Sequence, residues 1–571
     1  MSHSWVTASD GVRLSVRVSG REDGPTVVLV HGYPDNSSMW DGVAAELGVK
    51  HRVVTYDVRG AGQSDKPSGR SSYRLDQLAD DLRAVIEEVQ PTGRVHLLAH
   101  DWGSIQTWHA VTGEDLRGRI ASYTSISGPS LDHAGAWFRA QLTRPTPKRL
   151  KNALAQFAHS WYILAFQVPL IPDLLWRTGL MRKQIRRMEP DAAPAEKSDG
   201  LHGLQLYRAN MFTRLSRPAP RAADVPVQVL APTGDNYVTT PLQTEIARWV
   251  PDLRVRRVTG SHWITRAKPK VVAGAVAELV EYTEGGEESR GLRRSRVGAG
   301  RFEHKLVVIT GGGSGIGRAT ALAFADAGAD VVITDIDPSA AADTVKLLQD
   351  KGVSATEYTV DSSDGEAVTR FAEQVRANHG VPDIVVNNAG IGITGPFLHM
   401  SEKDWERVVD VNLWGVIHGC RAFAPMMVEQ SEGGHIVNVA SAAAYTPSKI
   451  LSAYATTKAG VLMLSECLRA ELAVEGIGVT AVCPGLVNTN ITNTTRFVGV
   501  SAEEERRRQR DSTKLYERRG FGPEGVARDV LRAIERNTAL KPSTPEAHVA
   551  LALSRFAPGL GRVLAKADLT P

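Results

Sequence analysis

Three side chains in the first half of the sequence have the types and the chain order of a nucleophile, an acid and a base. Asp101 stands at the centre of Ala99-His-Asp-Trp-Gly103, between a strand pattern and a helical pattern, where small neighbours indicate a sharp turn. Asp235 follows another strand pattern, and His262 comes later. A carboxylate that attacks an alkyl carbon forms an ester, so Asp101 favours displacement at a saturated carbon over peptide cleavage. An aspartate in this place is also typical of a plain helix cap.

Two backbone N–H groups are candidates for binding the oxyanion that forms when such an ester is hydrolysed. His31-Gly-Tyr33-Pro34 follows the strand pattern Thr26–Val30, and Trp102 follows Asp101. In turns of this kind the residue after the nucleophile donates one N–H, and a loop after an earlier strand donates the other. We therefore expect an oxyanion hole formed by Tyr33 and Trp102.

The second half carries a glycine-rich turn. The strand pattern Leu306–Thr310 runs into Gly311-Gly-Gly-Ser-Gly315-Ile-Gly317 and then into a helical stretch. Glycines let the backbone approach a pyrophosphate that lies on the helix N-terminus. Asp335 ends the next strand pattern, about 20 residues further on, where a carboxylate accepts hydrogen bonds from the adenosine ribose and repels a 2′-phosphate. Because no Arg follows Asp335, the sequence favours NAD over NADP.

A tyrosine and a lysine further along have the spacing of one helix face. In Tyr454-Ala-Thr-Thr-Lys458 the two side chains are one turn apart, so the ammonium can lower the pKa of the tyrosine. Such a pair is common on helix surfaces. Its position after Ser441 and after the glycine-rich turn makes it a candidate catalytic pair in this half.

Each half alternates short β-branched runs with longer helical patterns, which predicts parallel α/β sheets. Between about 131 and 217 the alternation is broken by Trp-, Leu- and Pro-containing helical stretches, which indicate a helical cap. Residues 284–302 are rich in Gly and charge, so we expect a flexible, exposed linker. The predicted domains are therefore 1–283 and 303–571. The strand patterns are Thr26–Val30, Val53–Tyr56, Val95–Leu98, Val227–Leu230, Leu306–Thr310, Val331–Thr334, Ile384–Val386, Ile436–Val439 and Val479–Val482.

Composition excludes several classes. The 571 residues carry 67 Lys and Arg against 63 Asp and Glu, a balance that does not indicate a nucleic-acid-binding surface. The three cysteines, Cys420, Cys467 and Cys483, form no Cys-x-x-Cys pair, so we expect neither a disulfide framework nor a metal site. The start lacks a signal-peptide pattern, and the apolar stretch Trp161–Trp176 is shorter than a membrane span. We expect a cytoplasmic protein.

The first half resembles the α/β-hydrolase family, specifically its epoxide hydrolases, over about residues 1–283. Asp57-Val-Arg-Gly-Ala-Gly-Gln-Ser64 is similar to that family's Asp-x-Arg-Gly-x-Gly-x-Ser segment, and the segments around Tyr162 and Tyr207 are similar to its two cap segments. The resemblance implies that Asp101 attacks an epoxide while Tyr162 and Tyr207 donate hydrogen bonds to the ring oxygen. His262, oriented by Asp235, then activates water, and the product is a vicinal diol.

Other functions remain open for this half. A haloalkane dehalogenase shares the fold, the aspartate and the following tryptophan, and an ester hydrolase is a further alternative. A different class is a non-catalytic domain that binds hydrophobic substrates and delivers them to the second half. The apolar cap residues Leu170, Ile171, Leu174, Leu175 and Trp176 favour a hydrophobic substrate in either case, although they can equally pack the cap on the sheet.

The second half resembles the short-chain dehydrogenase/reductase family over about residues 303–571, with a Rossmann-type doubly wound parallel sheet. The resemblance implies that Tyr454 is the general acid/base, Ser441 holds the substrate oxygen, Lys458 binds the nicotinamide ribose and Asn412 supports a proton relay. The substrate is then an alcohol or ketone and the cofactor is NAD. The implied cofactor-binding residues are Gly311, Ser314, Gly315, Ile316, Gly317, Asp335, Asp361, Asn388, Tyr454, Lys458, Pro484, Gly485 and Thr489.

The chain as a whole resembles actinobacterial fusions of these two families. We expect small-molecule partners, an epoxide and an alcohol or ketone, and a homo-oligomer formed through the dehydrogenase domain. The tail after Pro545 has apolar residues at helical spacing with basic residues between them, which predicts a subunit contact or core cover, with a peripheral membrane contact as the alternative. The apolar set is Val549, Leu553, Phe556, Leu560 and Val563, and the basic set is Arg555, Arg562 and Lys566.

Overall fold

The computed structural model describes residues 2–192 and 195–565. The chain divides into two units, Met1–Ala299 and Gly300–Pro571, each with its own sheet and hydrophobic core. The α/β fold class is confirmed for both units, because helices alternate with the strands of a largely parallel sheet in each. No helix in the described ranges is long and apolar enough to cross a bilayer.

The first unit is built on an eight-stranded sheet in the order β1-β2-β4-β3-β5-β6-β7-β8. The pairs β1/β2 and β2/β4 are antiparallel, and the remaining neighbours are parallel. The strands are β1 (Ser2–Thr7), β2 (Arg13–Gly20), β3 (Thr26–Val30), β4 (Arg52–Tyr56), β5 (Val95–His100), β6 (Ile120–Ile126), β7 (Val227–Pro232) and β8 (Leu253–Val258). The strand patterns missed β1, β2, β6 and β8, which are rich in Ser, Thr and Arg and so lack a β-branched apolar run.

Five helices, α4–α8, lie in the sequence between β6 and β7 and form a cap whose inner side chains join the core of the sheet. Phe166, Trp176, Leu204 and Tyr207 are the main buried anchors. The helices of the unit are α1 (Asp41–Leu47), α2 (Leu75–Val89), α3 (Trp102–Val111), α4 (Leu131–Thr143), α5 (Pro147–Gln167), α6 (Ile171–Arg177), α7 (Leu180–Met188), α8 (Lys197–Ser216), α9 (Thr240–Thr244), α10 (Ile264–Ala267), α11 (Pro269–Thr283) and α12 (Arg290–Arg294).

The expectation of an exposed linker over 284–302 is wrong for its central part. Leu292 on α12 is fully buried, and Val297 N–H donates a hydrogen bond of 2.9 Å to the Leu253 carbonyl. The buried guanidinium of Arg254 pairs with Glu288 at 2.8 Å. Glu288 therefore pairs with a buried charge of the first unit, and Leu292 anchors the segment, while Glu287 and Arg293 are exposed.

The second unit has a seven-stranded sheet in the order β11-β10-β9-β12-β14-β15-β17, all parallel, and a small β13/β16 pair. The strands are β9 (Leu306–Thr310), β10 (Asp330–Asp335), β11 (Ala355–Thr359), β12 (Ile384–Asn387), β13 (Ile393–Thr394), β14 (Gly434–Val439), β15 (Ile477–Cys483), β16 (Arg496–Phe497) and β17 (Leu540–Pro542). The helices are α13 (Gly315–Asp326), α14 (Pro338–Gln349), α15 (Gly365–His379), α16 (Glu402–Val409), α17 (Gly415–Gln430), α18 (Ser452–Leu472), α19 (Ile491–Thr494), α20 (Ala502–Arg519), α21 (Pro523–Glu535), α22 (Pro545–Phe556) and α23 (Pro558–Leu564).

Substitution of Leu292 by Ala is expected to destabilise the first unit by about 2–5 kcal/mol, because it leaves a cavity under α12. Nine of the eleven tryptophans lie in residues 1–299, so tryptophan fluorescence during urea unfolding reports mainly on this unit. The matched control is Val297→Ala, since Val297 is about half exposed and keeps its backbone hydrogen bond. Equal unfolding midpoints for the two variants would contradict an anchoring role of Leu292.

Candidate active sites

Asp101 projects from a strained turn between β5 and α3. Its φ of 51° lies in the left-handed region, which is uncommon for a non-glycine residue and marks strain held by the surrounding structure. Close packing holds the turn, since a Cβ on Gly103 would lie 2.2 Å from the Val30 carbonyl oxygen and one on Gly128 would lie 2.1 Å from that of Asp101. The Asp101 side chain makes no capping hydrogen bond to α3, so the plain helix-cap interpretation fails.

The N–H groups of Tyr33 and Trp102 both act on the Asp101 carboxylate. Tyr33 N–H donates a hydrogen bond of 2.7 Å to Oδ1. Burial raises the pKa of Asp101, while the His262 charge and the two N–H groups oppose that rise. The Asp101 carboxylate therefore lies where two backbone donors stabilise negative charge, which is what an oxyanion hole requires.

His262 lies between two carboxylates. Its Nδ1 is 3.1 Å from both oxygens of Asp235, and its Nε2 is 3.8 Å from Asp101 Oδ2. Asp235 also accepts hydrogen bonds from the N–H groups of Tyr237 and Val238, at 2.8 and 3.0 Å. The structure thus brings the three predicted residues together in the order carboxylate, imidazole, carboxylate.

The charges of this trio set the pKa of each member. Burial lowers the pKa of His262, but the charge and hydrogen bond of Asp235 and the charge of Asp101 outweigh it and raise the pKa to about 9. Burial likewise acts to raise the pKa of Asp235, yet His262 and the backbone N–H groups lower it overall. The ground state is therefore an imidazolium held by two carboxylates.

Tyr162 and Tyr207 face this site from the cap. Their ring centroids are 6.0 Å apart, and the Tyr207 ring is 4.8 Å from that of Trp102. Burial raises the pKa of both phenols, and the Asp101 charge raises both further. The two hydroxyls stay protonated at neutral pH and can donate hydrogen bonds beside the nucleophile.

The sequence did not indicate several side chains that complete this pocket. The hydroxyl of Tyr33 accepts a hydrogen bond of 2.7 Å from Trp176 Nε1 and so ties α6 of the cap to the sheet edge. The Tyr237 ring stacks edge-on between Tyr162 and His262, at 5.5 and 4.7 Å. Glu189 is fully buried and accepts a hydrogen bond of 2.8 Å from Asn236 Nδ2. A single tyrosine, tryptophan or glutamate forms no sequence pattern from which its place in the site could be predicted.

The apolar cap residues divide between two sides. Trp176 is fully buried, whereas Leu170, Ile171 and Leu174 are exposed. The alternative that this set packs the cap on the sheet is therefore wrong for these three residues, because α6 turns only one face inward, and the hydrophobic substrate stays a prediction.

The second unit encloses a cavity of about 1170 Å³ at the carboxyl ends of its strands. Most of the predicted cofactor and catalytic residues line it, while Gly317 and Asn412 lie just behind the wall. Within residues 2–192 and 195–565 there is no group of three His, Cys, Asp or Glu side chains that could hold a metal ion. The lining set is Gly311, Ser314, Gly315, Ile316, Asp335, Asp361, Asn388, Ser441, Tyr454, Lys458, Pro484, Gly485 and Thr489.

The glycine-rich turn fits a dinucleotide phosphate. Gly311 and Gly315 have φ of 64° and 52°, and α13 begins at Gly315 with its N-terminus toward the cavity. Gly317 packs against the turn itself, since a Cβ there would lie 2.0 Å from the Gly311 carbonyl oxygen. Asp335 Oδ2 accepts a hydrogen bond of 2.8 Å from Gly313 N–H, which fixes the carboxylate at the ribose end. These residues can hold NAD or a related dinucleotide.

The Tyr454–Lys458 pair lies in α18 beside this cavity. Lys458 Nζ donates a hydrogen bond of 2.8 Å to the Val439 carbonyl and lies 5.8 Å from the Tyr454 ring centroid. Burial raises the pKa of Tyr454, and a hydrogen bond with Ser441 opposes the rise. Burial lowers the pKa of Lys458 to about 8. The expected lowering of the pKa of Tyr454 by Lys458 is therefore not found, because burial dominates and the ammonium is directed at a backbone carbonyl.

Asn412 is fully buried in a π-helical turn, Asp410–Trp414, between α16 and α17. Its amide exchanges two hydrogen bonds with the backbone of Ile391, at 2.8 and 2.9 Å. A Cβ on Gly390 would lie 3.2 Å from Asn412 Oδ1 and 3.5 Å from Lys458 Nζ, so the two polar groups flank one point of the loop.

The tail helices α22 and α23 form part of the cavity wall. Val549, Leu553, Arg562 and Leu564 line the cavity, whereas Phe556 is 87% exposed. Lys566, the last basic residue of the predicted tail pattern, lies outside the described residues. The tail is therefore part of the cover of this cavity, a location that the sequence pattern alone did not predict.

Replacing Asp235 with Asn is expected to lower the pKa of His262 by more than about one unit, because the largest contribution that raises it disappears while burial still lowers it. Wild-type His262 should remain protonated until the pH passes about 9, and the variant should lose its proton at lower pH. The measurement is the pH titration of ring carbons by NMR, with His262→Gln to assign the signal. Asp191→Asn is the control, since Asp191 contacts Ser261 but does not act on His262. An unshifted titration in Asp235→Asn would contradict this electrostatic account.

Comparisons with known proteins found relatives of both units. The family model for the alpha/beta hydrolase fold matches residues 25–265, and that for short chain dehydrogenases matches residues 305–497. The "Probable oxidoreductase EphD" of Mycobacterium tuberculosis is 44% identical over 97% of this chain and 96% of its own length. The "C alpha-dehydrogenase" of a Sphingobium species is 32% identical over 43% of this chain and 82% of its own. A solved short-chain dehydrogenase/reductase from Burkholderia phymatum in complex with NAD is 32% identical over 47% of this chain and 98% of its own, with a TM-score of 0.41.

The resemblance to a fusion of two enzyme families is thereby confirmed. The chain belongs to the family of EphD-type oxidoreductases and combines an α/β-hydrolase-fold unit with a short-chain dehydrogenase unit.

Proposed function

We propose that the protein is a bifunctional enzyme that hydrolyses an epoxide in its first unit and transfers hydride between an alcohol or ketone and NAD in its second. The observation that carries the first half is the Asp101 carboxylate, with Oδ1 on the Tyr33 N–H and Oδ2 facing His262, under a pair of protonated tyrosines. The second half rests on Ser441, Tyr454 and Lys458 in one cavity with the glycine-rich turn.

In the first step Asp101 Oδ2 forms a bond to one epoxide carbon. The carbon–oxygen bond of the ring breaks, and its electron pair stays on the ring oxygen. Tyr162 and Tyr207 donate hydrogen bonds to that oxygen, and one of the two phenols gives it the proton that makes it a hydroxyl. The phenolate left behind is reprotonated with the proton that the imidazolium of His262 releases, so the proton count balances and His262 becomes neutral. The product of this step is a hydroxyalkyl ester on Asp101, and the charge of the carboxylate is gone.

Loss of that charge prepares the second step. Asp101 is one of the groups that raise the pKa of His262 to about 9 in the free site. When Asp101 becomes an ester this contribution vanishes, so the pKa of His262 falls and its neutral fraction rises when a base is needed. His262 then takes a proton from water, which attacks the ester carbonyl. The oxyanion on Oδ1 is stabilised by the N–H groups of Tyr33 and Trp102, and its collapse releases the diol with net addition of one water.

Substitution of His262 by Gln is expected to trap the ester, because alkylation needs Asp101 whereas hydrolysis needs the base. Intact-mass measurement after mixing with a small terminal epoxide should show one adduct of the epoxide's mass, and diol formation should slow by about 10²–10⁴-fold. Asp101→Ala/His262→Gln is the matched control and should show no adduct. An adduct on the control, or diol release at the wild-type rate by Asp101→Ala, would refute the mechanism.

Substitution of the two cap tyrosines separates the epoxide proposal from a dehalogenase. Halide is a leaving group that needs no proton, so Tyr162→Phe/Tyr207→Phe should keep halide displacement but lose epoxide opening if both substrates react. The tyrosine pair beside Asp101 favours the epoxide. Faster halide release than diol formation by the wild-type protein would instead favour the dehalogenase.

In the second unit, Gly311, Gly315, Asp335 and Lys458 would hold the dinucleotide, and Asp335 favours NAD because its carboxylate repels a 2′-phosphate. When bound, the nicotinamide supplies or accepts the hydride at the substrate carbon. Tyr454 takes the hydroxyl proton on oxidation and returns it on reduction. Ser441 orients the substrate oxygen, Lys458 is the cation beside Tyr454, and Asn412 holds the Ile391 loop next to Lys458.

Tyr454→Phe is expected to keep the dissociation constant for NADH within about threefold, because the ring still fills its place, and to lower kcat by about 10²–10⁴-fold because the proton carrier is gone. Fluorescence titration measures binding, and oxidation of a series of secondary alcohols measures turnover. Tyr358→Phe is the control, since that hydroxyl lies 3.2 Å from His379 Nε2 and Tyr358 does not line the cavity. Comparable losses in both variants would contradict the assignment of Tyr454.

The proposal for the second unit also includes its substrate class and its oligomeric state. Tail helices α22 and α23 serve as the wall that confines an apolar substrate, which is supported by Val549, Leu553 and Leu564 in the cavity lining. A homo-oligomer through this unit remains a prediction from the family resemblance.

A further inference from the structure

The outer face of the cap carries a row of large apolar side chains that the core does not use. On α5 they recur at alternating spacings of four and three residues, while the inner face of the same helix buries Ala153, Gln156 and Phe166. Leu154, Trp161 and Leu164 are each more than 60% exposed. We call this row the apolar cap face: Leu150, Leu154, Phe157, Trp161, Leu164, Val168, Leu170, Ile171 and Leu174. Soluble surfaces rarely expose so many neighbouring apolar side chains without a partner.

The same helices carry a strong positive charge. Between His133 and Met188 the sequence has ten Lys and Arg residues against one acidic residue, Asp173, and Asp173 is paired with Arg208 at 2.6 Å. None of the ten forms an ion pair with a described residue. Four of them, Arg182, Lys183, Arg186 and Arg187, lie exposed on α7, which packs against α6 next to α5. The whole chain has a net charge of only +4, so the cap holds a local excess that the total conceals.

Charge decides which partner fits this surface. A second copy would bring two apolar cap faces together, but it would also bring two sets of ten cations together, which repel. A nucleic acid would satisfy the cations but would leave the apolar row against a polar backbone. An anionic bilayer satisfies both, because acyl chains accept apolar side chains while lipid phosphates accept Lys and Arg at the interface. Trp and Phe in the row are also the aromatic residues that favour the headgroup region.

We propose that the apolar cap face, with the cations of α5–α7, docks the protein on an anionic lipid bilayer. Leu154, Trp161 and Leu164 enter the boundary between headgroups and acyl chains, and the long basic side chains reach the lipid phosphates. The interaction is peripheral and depends on ionic strength, since salt screens the attraction of each cation to the lipid phosphates. It stands independently of the epoxide proposal, because it uses the outer face of α5 and not Tyr162.

The test is flotation of the full-length protein with vesicles of phosphatidylcholine, with and without phosphatidylglycerol. We expect binding to the anionic vesicles, little binding to pure phosphatidylcholine, and release when the ionic strength rises from about 0.01 M to about 1 M. The variant Leu154→Gln/Trp161→Gln/Leu164→Gln should lower the partition constant at least about tenfold, since each residue loses buried apolar area. The matched control changes three tail residues of comparable exposure, Phe556→Gln/Leu560→Gln/Val563→Gln, and should bind like wild type.

The charge contribution is tested separately. Arg182→Gln/Lys183→Gln/Arg186→Gln/Arg187→Gln should also lower the partition constant at least about tenfold. Its control removes four exposed, unpaired cations elsewhere in the described chain and should have little effect: Lys50→Gln/Arg94→Gln/Lys346→Gln/Arg421→Gln. All substituted side chains are exposed, and circular dichroism melts verify that each variant folds.

The place of contact is tested with phosphatidylcholine brominated on its acyl chains, mixed with phosphatidylglycerol. Trp161→Phe keeps an apolar ring and should bind like wild type, but the bromine quenching of tryptophan fluorescence should fall. The proposal would be overturned if the wild type did not bind anionic vesicles, or if the tail control lost as much binding as the cap triple variant. It would also be overturned if quenching were unchanged in Trp161→Phe. The fourth contrary result is a dimer in solution that only the cap triple variant dissociates while its vesicle binding persists.

Discussion

Parallel strands end at a common edge, and both candidate sites of this protein depend on that constraint. The loops after β3, β5 and β7 are remote in the sequence, yet they deliver Tyr33, Asp101 and Asp235 to one edge of the first sheet. In the second unit the loops after β9, β10 and β14 deliver Gly311, Asp335 and Ser441 in the same way. What differs is the cover: a five-helix cap over the first edge, and α19, α20 and the tail helices around the second.

Burial of charge gives the first site its electrostatic character. His262 has no exposed surface of consequence, so its positive charge persists only because Asp235 and Asp101 stand on either side. Changing the charge of any one member changes the proton affinity of the other two, and alkylation of Asp101 is such a change. The second site works differently, since there burial pushes the pKa of Lys458 down and that of Tyr454 up, and the pair faces a space large enough for a cofactor and a substrate.

The sequence predicted those parts of the fold and of the sites that depend on local pattern. β-Branched runs revealed the central strands, and the residues after them included Asp101 and the glycine-rich turn. Sequence patterns failed where the burial or pairing of a residue depends on a contact with a distant part of the chain. Residues 284–302 looked like a solvated linker because composition does not show that Glu288 meets a buried Arg254. Leu170 and Ile171 were expected to pack the cap or to favour a hydrophobic substrate, yet both are exposed, because an apolar pattern does not say which face of a helix is covered. The net charge of the chain likewise concealed the cationic cap, because a sum over all residues does not show where the charges lie.

The backbone of Asp101 has a further consequence. A non-glycine residue with φ of 51° costs stability that glycine at the same position would not. The Asp101 side chain neither caps α3 nor belongs to the hydrophobic core, and at this turn it accepts a hydrogen bond from the Tyr33 N–H. In this chain the first unit therefore gives up part of its folding free energy to place a carboxylate, and not a hydrogen atom, at the tip of this turn.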